Sequence, residues 1–397
     1  MKLIERPLYL QRLKNLKGTP DIKIITGMRR SGKSRLLLSY IQYLEQEEPD
    51  SNIIYIDFTR LENERLQEYH LLNDYIESKR KEDCNNYLMI DEVQMCPNFE
   101  KVINSLHASE RYDIYLTGSN AFLLSADLAT LFTGRHIEID VYPFSFKEYC
   151  DYFSPVTDIQ DCFDKYAVEG GLAGSYVYRD LNDKADYIKE VFETIITKDL
   201  VEKNKLSDSQ TLMRIANYLM DNVSNITSPN SVSKSLTANN MQTNHVTVGR
   251  YLNFLCSAFV FYQVDRYDIQ GKKYLESLNK YYIVDTGIRF AILGKRNMDW
   301  GRIYENIVYL ELRRRGYIVY VGKLYQKEID FVATKRDVKY YVQVSDDISS
   351  EATFSRECDP LLKIKDAYPK ILIARTKHEE YDYQGIKIVD IATWLLS

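Results

Sequence analysis

Residues 27–34 combine two glycines, a lysine and a serine at a spacing that suits phosphate binding. The segment reads GMRRSGKS and matches the phosphate-binding loop pattern G-x-x-x-x-G-K-[ST]. Glycine permits backbone angles that a side chain forbids, so consecutive N–H groups can turn toward one anion. We predict a nucleotide-binding loop formed by Gly27, Met28, Arg29, Arg30, Ser31, Gly32, Lys33, Ser34 and Arg35.

Two residues at the end of this loop carry the predicted chemistry. Lys33 would contact the β- and γ-phosphates as a positive charge, and the hydroxyl of Ser34 would ligate Mg²⁺. Arg29 and Arg30 add positive charge beside the site, and they could contact phosphate or a neighbouring subunit. We therefore count Lys33 among the catalytic residues and Ser34 among the metal ligands.

The flanking sequence supplies the strand and the helix that such a loop requires. Residues 22–26 are β-branched and mostly apolar, as in a buried strand. Apolar residues then recur at helical intervals over residues 36–44. The N-terminal end of that helix would add its dipole beneath the phosphates. This context favours a nucleotide site over an accidental glycine turn.

An acidic pair follows another apolar run. Residues 87–90 predict a buried strand, and Asp91 and Glu92 come directly after it. Asp91 would hold Mg²⁺ through a water molecule, and Glu92 would polarise the attacking water as a general base. An acidic turn is the alternative for the pair alone, but the glycine loop upstream favours the second half of an ATPase signature.

Two polar features further along the chain could complete the site. Residues 114–117 predict a strand, and Ser119, with Asn120 as second choice, could sense the γ-phosphate at its end. Simple turn chemistry explains this polar cluster as well. Arg135 lies at a predicted helix-to-strand junction. It could stabilise transition-state charge in the site of an adjacent subunit, and a surface ion pair is the alternative.

The bulk composition bounds the class of protein. A chain of 397 residues with 45% hydrophobic residues predicts about two to four domains. No apolar run reaches the roughly 18 residues of a membrane helix, and the N-terminus lacks a secretory signal, so we expect no membrane association. Six scattered cysteines and five histidines favour a reducing cytoplasm over a zinc site or a disulfide framework. The net charge of -5 argues against a strongly basic nucleic-acid binder but leaves a local basic patch open.

Periodicity divides the chain into four predicted parts. Residues 1–155 alternate strands with helices, which predicts a parallel sheet covered on both faces. Residues 156–206 have helical spacing and would form a lid over the nucleotide. Residues 207–294 have the element order of a winged helix, and residues 295–397 predict a further α/β unit.

The predicted winged helix has three helices followed by two strands around residues 271–273. In such a fold the third helix usually enters the major groove of DNA. Its outward side chains are polar but carry little charge, whereas tight DNA binding needs several phosphate contacts. DNA binding and a protein-contact or regulatory role therefore both stay open. The side chains that would face a partner are those of Asn244, His245, Thr247, Arg250 and Asn253, with Lys272 and Lys273 on the wing.

Taken together, the motifs resemble one known family, the prokaryotic AAA-superfamily ATPases that carry a C-terminal restriction-endonuclease-like domain of unknown function. The resemblance covers nearly the whole chain. It implies ATP binding with Mg²⁺ and a P-loop core with an additional strand, and it supplies no substrate. One departure is Ala173, where the family usually has proline. The motifs that carry the resemblance are the loop with its double arginine, Asp91-Glu92, and residues 117–119, 134–135 and 143–149.

The restriction-endonuclease core implied for residues 295–397 needs two carboxylates on a divalent cation and, one strand further on, another acid and a lysine. Glu305 and Asp330 match the two carboxylates. At the later position the sequence QVS, residues 343–345, supplies neither the acid nor the lysine. Lys363 or Lys365 could take the place of the lysine. We nevertheless expect a catalytically degenerate domain, in which Glu305 and Asp330 stabilise the fold or contact a partner.

The sequence therefore predicts an α/β chain with a P-loop NTPase parallel sheet, a helical lid, a winged helix and a restriction-endonuclease-like α/β domain. We expect a cytoplasmic, Mg²⁺-dependent ATP-binding protein that hydrolyses ATP and whose nucleotide state controls the last two modules. An ATP-switched DNA-binding regulator and an ATP-gated nuclease are the alternatives. A DNA or protein partner and self-association into a homo-oligomer stay open.

Overall fold

The computed structural model describes residues 4–118, 132, 134–206, 208–295 and 299–397, and for residues 273–277 it describes the backbone alone. Contacts divide the chain into two units. The first contains Met1–Val141 and Ser257–Phe259, and the second contains Tyr142–Cys256 and Val260–Ser397. The four-part division expected from periodicity, with boundaries after residues 155, 206 and 294, stays a prediction.

The first unit is built on a five-stranded parallel sheet. Its strands are β1 (Ile22–Thr26), β2 (Asn52–Asp57), β3 (Asn86–Asp91), β4 (Asp113–Thr117) and β5 (His136–Asp140). They lie in the order β2-β3-β4-β1-β5, and every pair is parallel. The carboxyl ends of all five strands therefore meet at one edge, where ligands bind in open α/β sheets.

Helices cover both faces of this sheet, as the alternation of strands and helices predicts. Ile22 and Ile24 of β1 pack into the apolar cluster on one face, whereas Ile25 packs into the cluster on the other. The helices of this unit are α1 (Pro7–Leu16), α2 (Lys33–Glu47), α3 (Tyr69–Lys79) and α4 (Phe99–Ala108). The first cluster also contains side chains of α3 and α4, and the second contains side chains of α1 and α2. Short 3₁₀ turns follow β2 at Leu61–Gln67 and β3 at Val93–Met95.

The second unit begins with helical segments. They are α5 (Phe146–Tyr152), α6 (Ile159–Glu169), a 3₁₀ turn at Ala173–Val177 and α7 (Leu181–Thr194), which continues as a π-helical segment, Ile195–Glu202. These elements span the residues expected to be helical between 156 and 206. Their contacts place them in the second unit. Their role as a lid stays a prediction.

Asp285 ties the glycine-rich turn after α6 to a later part of the second unit. Its carboxylate accepts the backbone N–H of Gly171 at 2.5 Å and that of Gly287 at 2.9 Å. A Cβ on Gly170, which has a φ of +69°, would overlap the same carboxylate. Burial raises the pKa of Asp285 to about 7, although the N–H donors oppose this shift.

Three helices and two long strands follow in the order expected for a winged helix. They are α8 (Ser209–Asp221), α9 (Pro229–Ala238), α10 (His245–Ser257), β7 (Phe261–Asp268) and β8 (Lys273–Ile283), with the short β6 (Ile226–Thr227) between α8 and α9. The apolar stripes of α8 and α10 are buried. The second helix begins at Pro229, because Ser228 accepts the N–H of Ser231 and caps it. Assignment to the winged-helix fold stays a prediction.

Strands from both halves of the second unit join in one nine-stranded sheet. The later strands are β9 (Ile318–Leu324), β10 (Lys327–Lys335), β11 (Val338–Ser345), β12 (Lys370–Ala374), β13 (Tyr381–Tyr383) and β14 (Ile386–Asp390). The order is β13-β14-β12-β11-β10-β9-β7-β8-β6. β7 pairs in parallel with β9, for example Tyr267 with Gly322. The hairpin expected to be a wing therefore belongs to the same sheet as the strands after residue 294.

The remaining helices pack around this sheet. They are α11 (Thr286–Leu293), α12 (Trp300–Arg314), α13 (Glu351–Leu362) and α14 (Ile391–Leu396). The amide of Asn306 in α12 accepts the N–H of Ile283 at 2.8 Å and donates to its carbonyl at 2.9 Å, which fixes the helix against the end of β8. Within the described ranges, the helices are all too short or too polar to cross a bilayer.

Candidate functional site

The loop at residues 27–34 joins β1 to α2 and has the backbone that its glycines predict. Gly27 has a φ of +140°, and Gly32, directly before α2, has a φ of +99°. Glycine adopts both values without the strain that a side chain would cause. A Cβ on Gly27 would also overlap the carbonyl oxygen of Val141. Both glycines are therefore required by backbone conformation, and Gly27 by close approach as well.

Polar groups inside the loop fit a phosphate. Lys33 is buried, and its Nζ donates to the carbonyl oxygens of Gly27 and Met28, each at 3.0 Å. The Oγ of Ser31 is buried and has no hydrogen-bond partner in the described part of the chain. A buried hydroxyl without a partner is costly. An anion in the loop would supply the missing acceptor.

A residue outside the motif holds the loop in place. Arg6, which precedes α1, is buried, and its Nη1 donates to the carbonyl oxygen of Ser31 at 3.0 Å. Its guanidinium lies 4.5 Å from the centroid of the Tyr9 ring, which adds a cation–π contact. Sequence reasoning gave Arg6 no role in the site, because nothing in the loop motif points to a residue 25 positions away.

Asp91 ends β3 beside the serine of the loop. Its buried carboxylate accepts hydrogen bonds from the hydroxyls of Thr117 and Ser34. Burial raises the pKa of Asp91, and the two hydrogen bonds oppose that shift. The fold therefore brings Ser34 and Asp91, the two predicted Mg²⁺ ligands, into direct contact. Hydroxyl and carboxylate oxygens are ligands that this hard cation accepts.

Glu92 directly follows β3 in a strained conformation. Its φ of +54° lies in the left-handed region that non-glycine residues rarely adopt. The backbone N–H of Glu92 donates to Oγ1 of Thr117 at 3.0 Å, and its carboxylate accepts a hydrogen bond from the side-chain amide of Gln94. Such backbone strain is concentrated at functional sites.

Thr117 is a site residue that sequence reasoning passed over in favour of Ser119. It ends β4, is fully buried, and contacts both acidic residues, Asp91 through its hydroxyl and Glu92 through the backbone. The signal was present in the sequence as a threonine at the end of an otherwise apolar strand. Ser119 and Asn120 lie outside the described residues, so their expected sensing role stays a prediction.

The other predicted residues of the loop and its surroundings lie in different environments. Met28 is buried, whereas Arg29 is partly exposed and both Arg30 and Arg35 are exposed. Arg135 is exposed, and its carbonyl accepts the N–H of Ile22 at 2.9 Å. It therefore lies at the amino end of β1 and β5, across the sheet from the loop. A role for Arg135 in the site of another subunit stays a prediction.

A second group of charged residues is buried in the second unit. The Nζ of Lys280 on β8 lies 2.9 Å from Glu305 on α12, 2.7 Å from Glu328 on β10 and 3.9 Å from Asp330 on β10. Burial acts to lower the pKa of Lys280, but the three carboxylates outweigh it and raise that pKa. Burial raises the pKa of Glu305 and raises that of Asp330 well above its usual value.

The structure corrects the expected source of the lysine in this cluster. Lys363 and Lys365 are exposed, and Lys363 pairs with Asp359 at 3.0 Å. The cation beside Glu305 is instead Lys280, from a strand that precedes the predicted nuclease-like domain.

Gln343 takes part in this cluster through hydrogen bonds alone. It accepts the backbone N–H of Asp330 at 3.3 Å and donates to Glu357 at 3.0 Å. Among the described residues, no group of three or more His, Cys, Asp or Glu side chains is arranged to hold a metal ion.

The predicted partner-facing surface of α10 is accessible. Asn244, His245, Arg250 and Asn253 are exposed, and Thr247 is partly exposed. Lys272 is exposed as well, whereas the side chain of Lys273 lies outside the described residues. The sequence pattern therefore placed this helix face correctly.

The parallel sheet, the glycine loop after β1 and the acidic pair after β3 define the class as a P-loop nucleotide-binding protein. Residues 19–150 match the family described as an AAA domain, and residues 160–299 match a domain of unknown function. An uncharacterized protein of Haemophilus influenzae is 39% identical over 399 residues, which span 99% of this chain and 99% of that protein. The chain belongs to the family of that Haemophilus protein, and its residues 19–150 match an AAA domain.

More distant similarities have lower identity. An uncharacterized protein of Methanocaldococcus jannaschii is 27% identical over 347 residues, 83% of this chain and 75% of that protein. Among solved structures, a Walker-type ATPase of Pyrococcus abyssi aligns with 73% of this chain and 95% of its own, at 15% identity and a TM-score of 0.46. The Orc1 protein of Aeropyrum pernix in complex with DNA aligns with 78% of this chain and 93% of its own, at 10% identity and a TM-score of 0.33.

Proposed function

We propose that the protein binds ATP with Mg²⁺ at the loop of residues 27–34 and hydrolyses it. The observation that carries the proposal is the meeting of two preformed parts at one edge of the sheet. One part is the loop with buried Lys33 and the Ser31 hydroxyl, which has no hydrogen-bond partner among the described residues. The other part is Asp91, bonded to Ser34, with Glu92 next to it. An AAA domain over residues 19–150 supports the same function.

Each of these residues has a chemical role in the proposal. The loop amides and Lys33 bind the β- and γ-phosphates, and Lys33 offsets charge that develops on the γ-phosphate. Ser34 and Asp91 hold Mg²⁺, which would neutralise the phosphates and orient them. Glu92 accepts a proton from the attacking water. Thr117 holds Asp91 and Glu92 in their relative positions through two hydrogen bonds.

Two substitutions in the first unit test this proposal. We expect Lys33→Ala to weaken ATP binding by at least about tenfold, since it removes charge-assisted contacts worth about 1.5–3 kcal/mol. Glu92→Gln should retain ATP binding and stop turnover, because the amide cannot accept the proton. Lys101→Ala, at an exposed lysine on α4, is the matched control. Calorimetry gives the affinity, and phosphate release gives the rate.

Two results would contradict the proposal. Calorimetry that shows no heat with millimolar ATP and Mg²⁺ would reject the nucleotide site. Unchanged hydrolysis by Glu92→Gln would reject Glu92 as the general base while leaving the binding site in place.

We further propose that the nucleotide state controls the second unit, through a winged helix and a degenerate nuclease-like module. The exposed polar face of α10 supports a partner surface, and a DNA-binding regulator switched by ATP is the alternative role. ATP turnover measured with and without duplex DNA distinguishes these two roles. DNA that binds in a salt-sensitive and ATP-dependent way without changing turnover would favour the regulator.

The Lys280 cluster bears on the remaining alternative, an ATP-gated nuclease. Glu305 and Asp330, the two carboxylates that a nuclease would use for its cation, are both near the Lys280 ammonium. This arrangement supports a structural role for the carboxylates. DNA incubated with the protein and Mn²⁺ or Mg²⁺ should therefore stay intact. Cleavage that disappears in Asp330→Ala would establish the nuclease instead.

A further inference from the structure

Gln94 lies two residues after Glu92 and is bonded to it. Its Nε2 donates to Oε2 of Glu92, within the 3₁₀ turn Val93–Met95. The backbone of this turn is closed by a hydrogen bond from the N–H of Met95 to the carbonyl oxygen of Glu92 at 3.0 Å. Gln94 is thus held next to the residue that the proposed mechanism uses as general base.

The oxygen of the same amide has no hydrogen-bond partner among the described residues. Oε1 of Gln94 is buried and accepts no hydrogen bond from any described group. Leaving a buried carbonyl oxygen without a donor costs free energy, so such atoms are rare in folded proteins unless a water or a ligand completes them. The two atoms of one amide are roughly 2.3 Å apart from covalent geometry. A donor that bonds to Oε1 from the side facing Nε2 would therefore also lie near the carboxylate of Glu92.

We propose that Gln94 positions Glu92 for hydrolysis and helps to hold the attacking water. Its Nε2 fixes the orientation of the Glu92 carboxylate, and its Oε1 accepts one hydrogen of the water whose other proton goes to Glu92. A glutamine amide orients the attacking water in other nucleoside triphosphatases. In this chain the amide and the carboxylate come from one turn after β3. The inference rests on the proposed ATPase activity.

The backbone of Glu92 supports separate positioning roles for Thr117 and Gln94. Glu92 has a left-handed φ and an N–H bonded to Thr117, so its backbone is fixed from the side of β4. The hydrogen bond from Nε2 of Gln94 restricts the torsions of the Glu92 side chain. Thr117 thus sets the position of the residue, and Gln94 sets the direction of its carboxylate.

Gln94→Leu tests the role because leucine keeps most of the volume and loses both polar atoms. We expect kcat for ATP to fall about 10- to 100-fold, as for the loss of a hydrogen bond to a charged group, while the affinity for a non-hydrolysable ATP analogue stays within twofold. Met95→Leu, at the exposed next residue, is the control.

The outcomes separate this inference from the proposed function. Wild-type protein that binds ATP without turnover would reject hydrolysis and the role of Gln94 with it. Active wild-type protein with an equally active Gln94→Leu variant would reject Gln94 alone. A Gln94→Leu variant that loses analogue affinity as much as kcat would show a merely structural residue.

Discussion

Replacing Lys280 by methionine should destabilise the second unit strongly. The side chain of Lys280 is 3% exposed and contacts Glu305, Glu328 and Asp330. Methionine fills a similar volume but leaves the carboxylates without their cation. Removing one partner of a buried ion pair costs about 3–5 kcal/mol, because the remaining charge stays desolvated. For a unit of this size that corresponds to a fall in Tm of roughly 6–20 °C.

The loss of stability in Lys280→Met should depend on pH in a definite direction. The pKa of Lys280 is raised in the folded state, so its contribution is fully present below its unfolded pKa, and it persists through neutral pH. In the variant, the buried carboxyl groups of Glu305 and Asp330 can reduce their cost by taking up protons. The gap in Tm between the variant and the wild type should therefore be narrower at pH 5 than at pH 8.

Thermal unfolding followed by circular dichroism provides the assay. Lys165→Met removes an exposed lysine that pairs with exposed Asp161 on its own helix, and it should change Tm little. The double variant Lys280→Met/Glu305→Gln removes a charge of each sign and should be more stable than Lys280→Met alone. A Tm for Lys280→Met within the scatter of Lys165→Met would refute the reasoning.

Two further predictions concern single positions in the two units. Gly27→Ala places a side chain at a φ of +140° and against the carbonyl of Val141, so it should cost at least about 1–3 kcal/mol and abolish ATP binding in calorimetry. Gly18→Ala, at a φ of +71° with open space around it, is its control, and equal losses in the two variants would contradict the geometry. Asp285→Asn tests the raised pKa of about 7. Because folding raises the pKa of Asp285, the protonated carboxyl stabilises the folded state below the pKa of the unfolded chain, and this stabilisation is lost as the pH rises to the pKa of the folded state. In urea unfolding, the wild type should therefore lose stability relative to the variant between pH 4 and pH 7. A constant difference across that range would argue against the titration.

Local pattern was enough to predict much of the fold. Buried runs such as Ile22–Thr26 became strands, and the apolar stripe of α10 became its buried face. These features depend on periods of 2 and 3.6 residues, which the sequence carries locally. The parallel pairing of β7 with β9 does not have such a signal, because it joins residues more than 50 positions apart. Strand order in the second unit was therefore not predictable from periodicity.

The residues of the candidate site and of the Lys280 cluster also divide into those with a local sequence signal and those without one. Lys33, Ser34 and Asp91 were identifiable because a strand, a glycine loop and an acidic strand end form a spaced motif, and the fold brings them together. Lys280 was not identifiable, since it lies 25 residues before Glu305 and reaches the cluster only through the sheet. Arg6 was missed for the same physical reason. A side chain recruited by tertiary contact leaves no mark in local spacing.

The pairing of β7 with β9 constrains how this architecture can be divided. If the chain were cut between residues 294 and 299, each fragment would have an unpaired edge strand whose free backbone groups could pair with another molecule. Helices α8 to α10 and the strands after residue 318 should therefore be inherited and expressed as one piece. A conformational change within the second unit must therefore either bend the shared sheet or move all of its strands together.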